Sequence, residues 1–112
     1  MYPIFEYNIV KSITLIIKMN KIEVILGKQA KKDVKKIPQY IVTKLFEWIE
    51  QITHEGLDEL RKRPGYHDEP LSGKRKGQRS IRLSKGYRAF YIENSDGEME
   101  IIEVIEVNKH DY

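Results

Sequence analysis

The spacing of hydrophobic positions along the chain changes, and each spacing predicts a different kind of secondary structure. The segment 22–26 (IEVIL) is mostly β-branched and is followed by Gly27, which predicts a short strand. After Gly65 the apolar positions again alternate with polar ones, as they do in strands that bury one face. Between these two regions the apolar residues recur every three or four positions, which indicates helices.

Two helices are predicted in this middle region. The first runs from about Lys28 to Lys36, and Pro38 limits it while suiting the first turn of the next helix. The second helix continues loosely through Leu57 and Leu60 before Arg63-Pro64-Gly65 ends it. Its apolar stripe, in which Trp48 is expected to be a core residue, consists of Ile41, Leu45, Trp48, Ile49 and Ile52.

Three further strands are predicted after the helices, over residues 78–84, 87–93 and 98–107. The sequence Asn94-Ser95-Asp96-Gly97 favours a tight hairpin between the last two. The last strand is apolar on both faces, which indicates a central position in the sheet. In a regular strand, Glu103 and Glu106 are expected to point to opposite faces and to make a poor acid–base pair.

This order of elements predicts an α+β fold with a single domain, as is usual for a chain of 112 residues. An N-terminal strand and a helical hairpin precede an antiparallel sheet of about four strands, with the helices on one face. Residues 1–18 are apolar and aromatic but interrupted by charges, and their uncharged runs are too short to span a membrane. We interpret residues 1–18 as an extension before a natural start at Met19, with the domain at 19–112; a genuine extra strand is the alternative.

The absence of cysteine excludes disulfides and thiolate metal sites and is compatible with a cytoplasmic location. No glycine-rich phosphate loop is present, so no cofactor is expected. His67-Asp68-Glu69 is the one candidate metal cluster, but three adjacent residues cannot all face one ion. We therefore expect no metal.

Charge is distributed unevenly, although the net charge is only +3. Residues 73–88 carry only basic charges and residues 93–106 only acidic ones. Like charges repel one another, so a basic stretch of this kind favours an anionic partner such as nucleic acid. Tyrosines and a phenylalanine are interleaved with the bases, and flat rings suit unstacked RNA bases. The alternative is that the acidic strand neutralises the basic segment within the same molecule.

Four segments taken together resemble the RelE/ParE toxin superfamily, most closely the RelE and HigB type of mRNA-cleaving toxin. They are YHDEPLSG (66–73), RSIRL (79–83), GYRAFY (86–91) and EVNKHDY (106–112). The resemblance covers about residues 20–112. It implies a toxin of a bacterial toxin–antitoxin pair that cuts mRNA on the ribosome without a metal and is neutralised by a cognate, DNA-binding antitoxin. ParE-like members share the fold but poison DNA gyrase, which is the alternative function.

The resemblance also implies residue roles. Arg82 matches a phosphate-contacting position, and Arg88 matches the arginine that stabilises the transition state. His110 falls at the position of a general acid, with Tyr112 stacking on a base or helping proton transfer and His67 in reserve. RNA-binding residues are expected to be Lys74, Arg75, Lys76, Arg79, Lys85, Lys109 and His67. This chain has Ser80 where RelE has a second lysine, so the general base stays open.

Overall fold

The computed structural model describes residues 22–96 and 99–109. Five strands form one sheet in the order β1-β5-β4-β3-β2. The strands are β1 (Ile22–Leu26), β2 (Glu69–Pro70), β3 (Arg79–Ser84), β4 (Tyr87–Asp96) and β5 (Met99–Lys109). The helices are α1 (Lys28–Asp33), α2 (Gln39–Glu55) and α3 (Leu57–Arg61), with short 3-10 turns at Pro64–Tyr66 and Gly73–Arg75.

The sheet is mainly antiparallel, and only β1 pairs in parallel, with β5. This parallel pair is possible because α1 and α2 lie in the crossover between the two strands. β5 is flanked by β1 and β4, which confirms the central position that its apolar faces predicted. The predicted α+β fold is confirmed, with one strand more than the four expected, since β2 contributes only two residues.

The core lies between α2 and one face of the sheet. The helical stripe of Ile41, Leu45, Trp48 and Ile52 is fully buried. Trp48 packs against Tyr91 of β4 with their ring centroids 5.2 Å apart at a tilted angle of 52°, a geometry that aromatic pairs favour. Trp48 is thus a core residue, as its place on the stripe predicted.

Both predicted helices end differently from expectation. α1 stops at Asp33 and continues to Ile37 as a turn, although Val34 and Ile37 still pack on the core. The second helix is not continuous through Leu60, because Gly56 has a φ of 86° and separates α2 from α3. A helix cannot pass through that backbone conformation, which glycine adopts at little cost.

A bulge in β5 changes the predicted direction of its acidic side chains. Phe90 pairs with Glu106 but the next residue, Tyr91, pairs with Val104, so Ile105 is the extra residue. Val104 and Val107 both lie in the core. Glu103 and Glu106 therefore point to the same face, away from the helices, and the prediction of opposite faces is wrong.

The end of β5 is held against the first helix by a side-chain contact. The backbone N–H of Val107 donates to Asp33 Oδ2 at 2.9 Å. Since β5 also pairs with β4 up to Lys109 opposite Tyr87, this contact holds the last described residues of the chain in a defined position.

The interpretations of residues 1–18 and of Met19 lie outside the described residues, as does Gly97 of the predicted hairpin. No helix in the ranges 22–96 and 99–109 is long and apolar enough to cross a membrane.

Candidate functional site

The sheet has a second face, opposite the helices, that carries polar side chains. Along β3, Ile81 and Leu83 point into the core, so Ser80 and Arg82 between them point to the other side. The register places their neighbours on β4 and β5 on the same side. We call this surface the polar face; it consists of Ser80, Arg82, Arg88, Phe90, Glu106 and Asn108.

Arg82 and Arg88 are directly opposite each other on this face. They are Cα partners in the antiparallel pair of β3 and β4, and side chains of such partners lie next to one another. Two adjacent guanidinium groups repel unless an anion lies between or beside them. The Nε of Arg82 is buried and has no hydrogen-bond partner among the described residues, so Arg82, unlike Arg88, is not held in place by protein acceptors.

Arg88 is buried, with 8% of the residue exposed, and its guanidinium is bound on one side. Its Nε and Nη2 donate to Ser80 Oγ at 3.0 and 2.6 Å. Nη2 also donates to the backbone carbonyl of His67 and to Glu69 Oε1, both at 3.2 Å. These contacts fix the position of a buried charge, which is the arrangement that such a charge requires.

The segment 67–69 that contacts Arg88 is itself anchored through Asp68. The Asp68 side chain is 1% exposed, and it accepts hydrogen bonds from Arg79 Nε at 2.7 Å and from the Tyr91 hydroxyl at 2.5 Å. Arg79 and Tyr91 belong to the helix-covered side of the sheet. The segment therefore lies across the β3 edge, held by Asp68 on one side and by Arg88 on the other.

Burial and charge shift the pKa values of Tyr91 and Arg79, the two residues that donate to Asp68. Burial, together with the hydrogen bond to Asp68, raises the pKa of Tyr91 to about 12. For Arg79, burial acts to lower the pKa, but the hydrogen bond and charge of Asp68 outweigh it and the pKa is raised. Arg79 thus stays charged and Tyr91 stays protonated at neutral pH.

The predicted RNA-binding residues fall into two groups. Arg75 and Arg79 have carboxylate partners, Glu106 and Asp68 respectively, and Arg75 also lies 4.1 Å from the centre of the Phe90 ring. Arg79 points to the helix-covered side. The four predicted lysines form no ion pair with another described residue: Lys74, Lys76, Lys85 and Lys109.

The histidines and the terminal tyrosine are placed as follows. His67 is exposed and has a left-handed backbone conformation, φ 44°, from which its carbonyl reaches Arg88. His110 and Tyr112 lie outside the described residues. The neighbours of His67 diverge, since Asp68 is buried and Glu69 is exposed. Within 22–96 and 99–109 no three metal-ligating side chains come together.

Glu69 is a candidate site residue that was not predicted from the sequence. Its carboxylate is 60% exposed and touches Arg88, so it stands beside the proposed transition-state arginine and can accept a proton from a bound molecule. Glu69 is also the Cα partner of Ser80. Glu69 lies in the segment YHDEPLSG, which carries part of the resemblance. The sequence alone does not show whether Asp68 or Glu69 contacts Arg88.

A cleft of about 360 Å³ opens at the edge of β3 beside this site. β2 pairs with β3 only at Arg79 and Ser80, so the edge beyond them is not covered by a strand. The cleft lies between that edge, α2 and the 3-10 turn at Pro64–Tyr66. Its lining residues are Lys44, Gln51, Arg63, Gly65, Tyr66, Arg82, Leu83 and Ser84.

Comparison with known proteins finds one matching family model, described as the ParE toxin of the type II toxin–antitoxin system, parDE, over residues 24–111. Proteins with curated descriptions give no match. Several solved structures are similar at identities that establish the fold alone.

A YoeB/ParE toxin from Agrobacterium tumefaciens is 20% identical with a TM-score of 0.59, covering 80% of this chain and 99% of its own. YafQ from E. coli is 18% identical with a TM-score of 0.63, covering 79% and 92%. The toxin in the E. coli DinJ-YafQ toxin-antitoxin complex is 20% identical with a TM-score of 0.62, covering 80% and 93%.

The buried Tyr91 hydroxyl predicts a specific loss of stability in alkali. Its pKa is about 12 in the folded chain and about 10 in the unfolded chain. Between these values the unfolded chain loses the proton first, so the free energy of unfolding falls as pH rises. Urea denaturation at about pH 9 and about pH 11 should show a smaller fall for Tyr91→Phe than for the wild type.

Tyr40→Phe is the control, because Tyr40 is 62% exposed on α2 and should leave the fall as large as in the wild type. If the free energy of unfolding of Tyr91→Phe fell as steeply with pH as that of the wild type, the buried hydrogen bond of Tyr91 to Asp68 would be contradicted.

Proposed function

The chain belongs to the family of ParE toxins of type II toxin–antitoxin systems, and we propose that it is a cytoplasmic toxin that cleaves mRNA on the ribosome, without a metal ion. The observation that carries this proposal is the pairing of Arg82 with Arg88 on the polar face, with the Glu69 carboxylate in contact with Arg88. A phosphodiester between the two arginines would meet cationic donors and a proton acceptor together.

The reaction uses a nucleophile that RNA itself provides. The 2′-oxygen attacks the adjacent phosphorus, the bond from phosphorus to the 5′-oxygen breaks, and the products are a 2′,3′-cyclic phosphate and a 5′-hydroxyl. The 2′-hydroxyl must lose its proton and the leaving 5′-oxygen must gain one. The extra negative charge on the phosphorane must be stabilised as it forms.

Glu69 is the proposed general base, which takes the proton from the 2′-hydroxyl. Arg88 and Arg82 stabilise the phosphorane, because a guanidinium donates to two phosphate oxygens and stays charged. Ser80 and the His67 carbonyl hold Arg88 in place before substrate binds, which avoids reorganisation during the reaction.

His110 is the proposed general acid for the leaving oxygen, with Tyr112 stacking on a base or assisting proton transfer. The register of β5 supports this role, since Asn108 is opposite Arg88 and Lys109 is opposite Tyr87. An imidazole with an ordinary pKa of about 6.5 exchanges protons near neutral pH.

The lysines without ion pairs supply the proposed contacts to the RNA backbone. Lys74, Lys76, Lys85 and Lys109 are exposed, and each phosphate that they neutralise releases counterions and makes binding salt-dependent. Arg75 and Arg79 would join them only by leaving Glu106 and Asp68. The proposed protein partner is a cognate antitoxin that also binds DNA.

Binding and poisoning of DNA gyrase is the second candidate function. It is favoured by the inward contacts of Arg88, which in the absence of RNA has its Nε and Nη2 occupied by protein groups. On that account Arg88 is a structural residue of the sheet, and the polar face takes part in no chemistry.

Substitutions of the proposed base and phosphate clamp should slow cleavage without unfolding the chain. Glu69→Gln should lower the single-turnover rate on mRNA bound to ribosomes by about 10²–10⁴. Arg82→Ala should lower it by about 10²–10³. Each rate is measured in excess chelator, which should leave the wild-type rate unchanged.

Glu59→Gln and Lys62→Ala are the matched controls, since both residues are exposed on or next to α3, away from the polar face. Wild-type rates for Glu69→Gln and Arg82→Ala, with normal circular dichroism spectra, would refute these roles.

Brief induction in bacteria separates the two candidate functions. The nuclease predicts rapid arrest of translation and new mRNA 5′ ends at fixed codon positions, lost in the Glu69→Gln variant. The gyrase poison predicts a DNA-damage response with translation intact and no new 5′ ends. The second pattern would replace the proposed function with its alternative.

A further inference from the structure

We propose that the cleft at the β3 edge is a nucleotide subsite that selects guanine over adenine. This inference rests on the proposed function, since the cleft is continuous with the cleavage site through Arg82, which belongs to both. Its volume of about 360 Å³ is within the range of roughly 300–1,000 Å³ that small-ligand sites occupy.

The orientation of the Gln51 side chain determines what the cleft offers to a ligand. Gln51 Oε1 accepts hydrogen bonds from the Tyr66 hydroxyl at 2.8 Å and from Arg63 Nη1 at 3.0 Å. Because two donors point at this atom, it must be the oxygen of the amide and not the nitrogen. The Nε2 group is therefore the other end of the amide, and it has no hydrogen-bond acceptor among the described residues.

Two other side chains around the cleft can also donate. Ser84 Oγ already accepts a hydrogen bond from Gly86 N at 3.2 Å, which leaves its O–H to donate. Lys44 is exposed and lies 3.9 Å from its nearest carboxylate, on Glu47, so its ammonium group is available too.

The donors of Gln51, Ser84 and Lys44 discriminate between purines. Guanine presents two acceptors, O6 and N7, on one edge, whereas adenine presents the N7 acceptor beside an N6 donor. The adenine N6 donor would face Gln51 Nε2 with no acceptor between them, and an unpaired buried donor is costly. The Tyr66 ring provides a flat surface for the base, and Arg82 provides a donor for the phosphate.

Binding of mononucleotides tests the subsite without any cleavage. The full chain is titrated with 5′-GMP and 5′-AMP, and the dissociation constants are measured by NMR with the backbone amides of Leu83 and Ser84 as reporters, together with the Gln51 side-chain amide in the wild type. GMP should bind about tenfold more tightly than AMP. Equal affinities, or shifts that leave the Gln51 amide unmoved, would overturn the proposal.

Gln51→Glu is the decisive variant, because a carboxylate still accepts from Arg63 and Tyr66 but no longer donates. The ratio of AMP to GMP dissociation constants should fall from about ten to about one or below. The added negative charge weakens both nucleotides alike and cancels in this ratio. Gln39→Glu, the same substitution at an exposed position of α2, should leave the ratio unchanged.

The outcome is separable from that of the proposed function. Selective GMP binding that Gln51→Glu abolishes supports the subsite even if the chain cuts no RNA. RNA cleavage with an unselective cleft overturns the subsite and leaves the nuclease in place. A Gln51→Glu variant that keeps the preference for GMP also overturns the subsite.

Discussion

The hydrogen bonds of the buried Arg88 guanidinium are the contacts on which the rest of the site depends. A charge in that position is stable only with several acceptors around it, and the chain provides a hydroxyl, a backbone carbonyl and a carboxylate. Two of these acceptors come from the segment 67–69, which Asp68 anchors to the other side of the sheet. The β3 edge, the segment and the arginine therefore hold one another in place, and the carboxylate of Glu69 is kept at the arginine as a result.

The uneven charge of the sequence has two consequences in one structure. Arg75 pairs with Glu106 of the acidic strand, as the intramolecular alternative predicted. Lys74, Lys76, Lys85 and Lys109 form no ion pair with any described residue, as a surface that binds an anion requires. Neutralisation within the molecule thus holds together the segment around the candidate site, and in the proposed function the exposed lysines supply the long-range attraction to RNA.

The order of elements and the family could be predicted from the sequence because periodicity and short motifs are local. The core positions Leu45 and Trp48 followed from helical spacing alone, and the resemblance to the RelE/ParE superfamily is confirmed by the family match over residues 24–111. The break at Gly56 was missed because a glycine near a helix end does not reveal its φ. The bulge at Ile105 was missed because it depends on the pairing with β4.

The site was predicted less completely, since its contacts join distant parts of the chain. Sequence alone placed Arg82 and Arg88 on neighbouring strands, but not the register that makes them partners. Arg79 looked like one more basic residue, yet strand alternation directs it to the helix-covered side, where Asp68 and Tyr91 meet it. Glu69 reaches Arg88 across 19 residues, a contact that no local pattern predicts. The roles of His110 and Tyr112 stay predictions.

The most direct test is a crystal structure of the wild-type chain with a short RNA whose 2′-hydroxyls are methylated, so that it binds without being cut. The account predicts one phosphate with its oxygens within hydrogen-bond distance of both Arg82 and Arg88, and the neighbouring 2′-oxygen facing Glu69. RNA bound on another surface, with Arg88 keeping only its protein partners, would contradict it.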